Sequence, residues 1–358
     1  MILDVVKIIT PAALSFFIGI AITPLLTHYL YKYKMWKPKA GKRAALGGGE
    51  TLIFNELHKE KETGTPRMGG IVIWVSAILT IVGIWLLSLV SPSSALAKLD
   101  FLSRDQTWIP LFTLLLGALV GLIDDILEVR GGGNGAAGGL SITQRLVVVG
   151  SLALFVGTWF YTKLDITTIG IPFGGDFHLG LFIIPFFLLV TLALYAGGVI
   201  DGIDGLSGGV FTAIFAAYAG VAYYQDQVNL AAFCASLVGA ILAFLWFNIP
   251  PARFYMTETG TMGLTITLAV VAFMTDSLGE GHGVVALPII AFPLLITVAS
   301  NIIQVGSKKL RAGKKVFLVA PLHHHFEAIG WPGYKVTMRY WVLSTIFAII
   351  GLIFALVA

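Results

Sequence analysis

"LFTLLLGALVGLIDDILE", residues 111–128, stays apolar up to Ile123 and then meets two adjacent aspartates. With its flanks it forms an apolar run over 108–127, about the twenty residues a helix needs to cross the hydrocarbon core of a bilayer. Comparable runs fall at 6–31, 70–90, 145–162, 180–199, 206–224, 230–247, 262–278, 284–305 and 338–357. The whole chain follows this pattern, since 57% of its 358 residues are hydrophobic, 12% are charged and the mean hydropathy is +0.89. These features specify an all-α integral membrane protein of about ten transmembrane helices, folded as one polytopic domain over 1–358. The first run is too long for a signal-peptide core and lacks a small-x-small cleavage site, so it reads as a retained anchor. The single Cys234 lies within an apolar run and excludes an intrachain disulfide.

Lysine and arginine set the orientation, because cytoplasmic connections collect positive charge. Of 23 basic residues, all but Lys7, Lys98, Arg104 and Lys163 fall after the odd-numbered spans. Both termini are therefore expected on the outer side. The first cytoplasmic loop is expected at 32–69, the second at 128–144 and the last at 306–337. A net charge of +4 then describes a basic inner surface suited to anionic lipid or substrate, and nucleic acid is not needed to explain it. No internal repeat of the kind common in secondary transporters is visible. Residues 164–180 alternate polar and apolar around Gly and Pro, which suggests a small hairpin. "GNGAAG" at 133–138 matches a dinucleotide fingerprint, but no strand precedes it and it is set aside.

Charge near a membrane core is costly, roughly 2.5 to 3.5 kcal/mol per group at a helix centre, so clustered carboxylates need a reason. Asp124 and Asp125 end the third span, Asp201 and Asp204 in "VIDGIDGLSGG" join the fifth and sixth, and Glu258 in "FYMTETGTMG" opens the eighth. All five belong to cytoplasmic ends. Adjacent carboxylates either separate in pKa or share a cation, and a hard divalent ion with oxygen ligands fits them. A solvated interfacial pair at 124–125 and helix capping by Asp201 and Asp204 are the simpler readings. In "APLHHHFEAIGWP", 320–332, Pro321 argues against a helix through His323–His325, so a loop is expected whose rings converge on phosphate oxygens or a metal. "SKKLRAGKK", 307–315, adds five basic residues beside it.

With "GTPRMGG" (64–70), "GLIDD" (121–125), "DGIDGL" (201–206), "LWFN" (245–248), "QVGSKKLRAGKKVF" (304–317) and "APLHHHFEAIGWP" in place, the chain resembles the polyprenyl-phosphate N-acetylhexosamine-1-phosphate transferases almost end to end. The three histidines followed by an acidic residue and Gly-Trp are similar to its muramoyl-peptide branch. That resemblance implies Mg²⁺-dependent transfer of phospho-MurNAc-pentapeptide from UDP-MurNAc-pentapeptide to undecaprenyl phosphate, giving lipid I and UMP at the bacterial cytoplasmic (inner) membrane. It implies catalytic roles for Asp124, Asp125 and His323. It implies substrate binding by Asp201, Gly202, Ile203, Asp204, Asn248, Tyr255, His324 and His325, and metal binding by Glu258 and Asp201. A membrane lipid environment and a homodimer also follow from it.

The chain departs from the family pattern at several places. Glu258 stands where the family has an aspartate, Gly198 where it has an asparagine, Glu128 and Glu62 where it has basic residues, and Arg145 where it has a lysine. Two other readings compete: a sister-branch transferase for another UDP-aminosugar, which would not need the histidine motif, and a cation-coupled transporter. The transporter predicts acids near mid-membrane with access from both sides, whereas these acids gather on one side.

Overall fold

A computed structural model describes residues 2–37, 63–92, 97–133, 135, 138–276 and 281–357. In chain order its helices are α1 (Ile2–Lys32), α2 (Gly70–Val90), α3 (Trp108–Arg130), α4 (Ile142–Lys163), α5 (Ile183–Gly197), α6 (Leu206–Tyr224), α7 (Val228–Asn248), α8 (Thr257–Met274), α9 (Gly283–Ile290), α10 (Phe292–Leu310), α11 (Leu322–Ala328) and α12 (Gly333–Val357). Among the described residues nine helical segments are long and apolar enough to cross a membrane, and the bent pair α9 with α10 raises the number to ten where it is counted as one span. The chain is a multi-pass, all-α membrane protein.

The ninth passage is not the continuous span expected over 284–305. It breaks at Ala291, where α9 and α10 meet at 70°. Pro288 inside α9 and Pro293 in the first turn of α10 remove two backbone donors within six residues, which explains the bend. The eighth passage also begins earlier than expected, at Thr257 rather than 262, so Glu258 lies in its first turn.

Helix α8 is the axis of the bundle, with 94% of its membrane window buried. Without a solvent-driven hydrophobic effect between helices, close approach depends on small residues. A Cβ on Gly121 of α3 would stand 2.0 Å from the Glu258 carbonyl oxygen, and one on Gly117 would stand 2.8 Å from Gly263 Cα. Gly70 at the start of α2 approaches Gly260 in the same way, at 2.3 Å from its nitrogen. Three helix ends thus meet at one point.

At the opposite end lies the hairpin anticipated from 164–180. Strand β1 (Thr168–Ile171) pairs antiparallel with β2 (Gly175–His178), Ile171 opposite Gly175. Asp276 ties it to the bundle, accepting from Gly170 N at 2.8 Å and Val284 N at 2.9 Å. The glycine-rich segment after α3 makes tight turns through Gly133 N to Gly138 O and Gly135 N to Gly139 O, with no strand before it.

Candidate active site

Asp124 and Asp125 occupy the last turns of α3, and both are fully buried. Successive helical residues point about 100° apart, so the two carboxylates meet different neighbours. Gly131 ends the helix in the left-handed conformation that glycine adopts without strain, and the chain folds back over it. Leu140 N then donates to Asp124 Oδ1 at 2.6 Å. Ser141 and Gln144 form a capping box that starts α4. One turn into α4, Arg145 Nη2 lies 2.9 Å from Asp124 Oδ2, and Nη1 lies 2.7 Å from Glu258 Oε1.

Asp125 faces the other way. Its Oδ1 accepts from Arg67 Nη2 at 3.1 Å, and its Oδ2 accepts from Thr259 N at 2.9 Å and from the hydroxyls of Thr257 and Thr259. The positive end of α8 supports a carboxylate there. Thr257 holds a left-handed backbone, φ 55°, and is fixed on several sides. Its N–H donates to Asp201 Oδ2 at 2.8 Å, and its hydroxyl also accepts from Met68 N at 3.2 Å. Asp201 Oδ1 accepts from Ser207 Oγ at 2.7 Å.

Glu128 completes the network through Arg67 at 2.8 Å and Lys37 at 3.2 Å. Burial works against the charge on Arg67, yet Asp125 and Glu128 outweigh it and hold the guanidinium above its ordinary pKa. Carboxylate oxygens of Asp124, Asp125 and Glu128 lie within 4.8 Å of one another, a buried all-oxygen donor set that suits a hard cation. Glu258 and Asp201, expected as metal ligands, fall outside that group of mutually close oxygens. Glu128, read from sequence only as a departure, falls inside it. Its spacing was the available signal, since it lies four residues after Asp124 and three after Asp125. Glu62, the other acidic departure, lies outside the described residues. Gly198 sits in a single helical turn with Thr261 behind it.

The histidines lie on a short helix, correcting the expectation of a loop. Pro321 precedes the first turn of α11, a place where its missing N–H costs nothing, and the helix begins at Leu322. His323 and His324 are buried, with ring centroids 4.3 Å apart. A Cβ on Gly202 would meet His323 Nε2 at 2.6 Å and His324 Nε2 at 2.7 Å, so the glycine lets the imidazoles touch the loop carrying Asp201. His324 Nδ1 pairs with Glu327 Oε2 at 2.8 Å. His325 turns away, packing on Phe317 at 5.5 Å and accepting from Leu318 N at 3.3 Å.

The remaining expected positions form the frame. Asp204 Oδ2 accepts from Ala252 N at 3.2 Å. Asn248, buried, accepts from Gly205 N at 2.9 Å and donates to Phe254 O at 2.8 Å. Neither aspartate caps α6, whose N-cap is Gly205 at φ 76°. Ile203 lies close to Gly333, and the Tyr255 backbone pairs with Pro66 and Gly69, anchoring the segment that presents Arg67.

The site belongs to a region with known relatives. Residues 107–276 match the family described as Glycosyl transferase family 4. A phospho-N-acetylmuramoyl-pentapeptide-transferase of Levilactobacillus brevis is 35% identical over 297 residues, covering 82% of this chain and 84% of the relative. A protein of the same name from Geobacillus sp. (strain WCH70) is 33% identical over 346 residues, 95% of each chain. Another from Chloroflexus aggregans is 30% identical over 367 aligned positions, 99% of this chain and 91% of the relative.

Proposed function

The chain belongs to the phospho-N-acetylmuramoyl-pentapeptide-transferase family, and from that membership we propose its reaction. It transfers phospho-MurNAc-pentapeptide from UDP-MurNAc-pentapeptide to undecaprenyl phosphate, forming lipid I and UMP in peptidoglycan synthesis. The observation that carries this reading is the meeting of two charged groups at one end of the bundle. Arg145 binds Asp124 and Glu258, while Arg67 and Thr257 join Glu128 and Asp125 to Asp201 beside His323 and His324, and the Asp124, Asp125 and Glu128 oxygens bring the two groups together.

Phosphoryl transfer asks chiefly for positioning and charge neutralisation. Asp124, fixed by Leu140 and Arg145, acts as the base or nucleophile toward the phosphates. Asp125 holds Arg67 and the α8 terminus in register. Arg67 and Arg145 stand ready for developing negative charge, and His323 and His324 donate to phosphate oxygens above Gly202. Asp201, Ile203, Asp204, Asn248 and Tyr255 shape the nucleotide side, with His325 supporting α11 from behind.

A Mg²⁺ ion would be held by Asp124, Asp125 and Glu128, where it would neutralise phosphate charge. The enzyme resides in the bacterial cytoplasmic membrane as a homodimer, with its site at the cytoplasmic end of the bundle.

Purified protein incubated with UDP-MurNAc-pentapeptide, undecaprenyl phosphate and Mg²⁺ should release UMP and form lipid I, and Asp124→Asn and His323→Ala should each abolish product. Consumption of UDP-GlcNAc in place of the muramoyl substrate would assign the chain to the sister reaction.

A further inference from the structure

Trp331, just past α11, carries a cluster that the transfer reaction does not use. Its indole stacks on Phe326 with centroids 4.7 Å and planes 14° apart. Arg339 Cζ lies 4.1 Å and Lys335 Nζ 5.1 Å from the indole centroid. Cations over an indole gain from its quadrupole, and here the ring holds two long side chains at one spot. Both cations are exposed, and neither pairs with an acid among the described residues. Lys37, Arg67 and Arg145, by contrast, all meet carboxylates.

The two cations are four residues apart at the start of α12, on the same flank as Met338 and Val342, which are 60% and 63% exposed. Val336, Tyr340, Ser344 and Ala348 form the opposite, buried stripe. On a membrane-spanning helix the exposed stripe faces acyl chains. Helical side chains lean toward the N-terminus, so Arg339, although inside the helix, reaches back to Trp331 at the interface. The surface is cationic at headgroup level and apolar below it. Ordinary inner-face lysines are scattered and solvated, whereas these two are pre-placed on one ring.

We propose that Lys335, Arg339 and Trp331 form a binding site for the phosphate of an anionic phospholipid whose acyl chains lie along Met338 and Val342. Phe326, on the same indole, belongs to α11, so an occupied site braces the helix that carries His323 and His324.

The test is native mass spectrometry of the full chain in detergent, titrated separately with phosphatidylglycerol, phosphatidylcholine and a polyprenyl phosphate. Wild-type protein should retain phosphatidylglycerol about 25-fold more tightly than a Lys335→Gln, Arg339→Gln variant, roughly fivefold per cation. Phosphatidylcholine should not distinguish the two, and Lys335→Arg with Arg339→Lys should keep the lipid. Equal retention of phosphatidylglycerol by wild type and the neutral variant overturns the proposal. So does dependence on the two cations for the polyprenyl phosphate alone, which would make the patch part of the acceptor site.

Discussion

Arg145 joins Asp124 and Glu258, one carboxylate from the end of α3 and one from the start of α8, at 2.9 and 2.7 Å. The acid here is a glutamate and the base a forked guanidinium, and the two meet directly. Removing one partner from a largely buried pair strands the others. Arg145→Gln should therefore cost about 3 kcal/mol, read as a lower melting temperature in detergent. Arg145→Gln combined with Glu258→Gln should cost less than Arg145→Gln alone. A single variant as stable as wild type would show that the bridge contributes nothing.

The metal assignment rests on Glu128. Glu128→Gln keeps the size of the side chain and removes one of three carboxylates from the buried donor set. Mn²⁺ binding, followed by electron paramagnetic resonance without substrate, should weaken at least tenfold, as a lost ligand commonly does. Glu258→Gln should weaken it less. The reverse ranking would return the ligand role to Glu258.

Glycine at the α3–α8 crossing is predicted to be irreplaceable. Gly121→Ala places a methyl carbon 2.0 Å from the Glu258 carbonyl oxygen, whereas Gly83 has no neighbour within 4 Å of its added Cβ. Gly121→Ala should lose about 1–3 kcal/mol and most transfer activity, since the same displacement moves Asp124 and Asp125 away from α8. Gly83→Ala should leave both unchanged within error, and comparing melting curves and initial rates of the two variants decides the matter.

Asp276 gives the end of the bundle that carries the hairpin a pH dependence. Burial raises its pKa from 3.8 to about 6, against the pull of hydrogen bonds from Gly170 and Val284. A carboxyl whose folded pKa is raised contributes stability that is complete below pH 4 and lost as pH rises through about 6. The wild-type melting temperature, compared with that of Asp276→Asn, should therefore fall between pH 4 and 7. The always-neutral asparagine abolishes that component, and parallel curves for the two proteins would refute it.

Membrane class, about ten passages, the shared end of the acidic residues and the hairpin were all legible in the sequence. They depend on local patterns: runs of about twenty apolar residues, the bias of lysine and arginine, and alternation around glycine and proline. The family was legible because short motifs such as "GLIDD" and "HHHFE" preserve chemistry in contiguous residues. The tertiary structure alone decided which charges meet. That Arg145 spans Asp124 and Glu258, that Glu128 joins the aspartates, and that Gly202 receives His323 and His324 depend on contacts that the order of residues along the chain does not display. Pairing of that kind is set by how closely glycine-lined helices approach and by which buried charges must be neutralised, and neither leaves a periodic trace in the sequence.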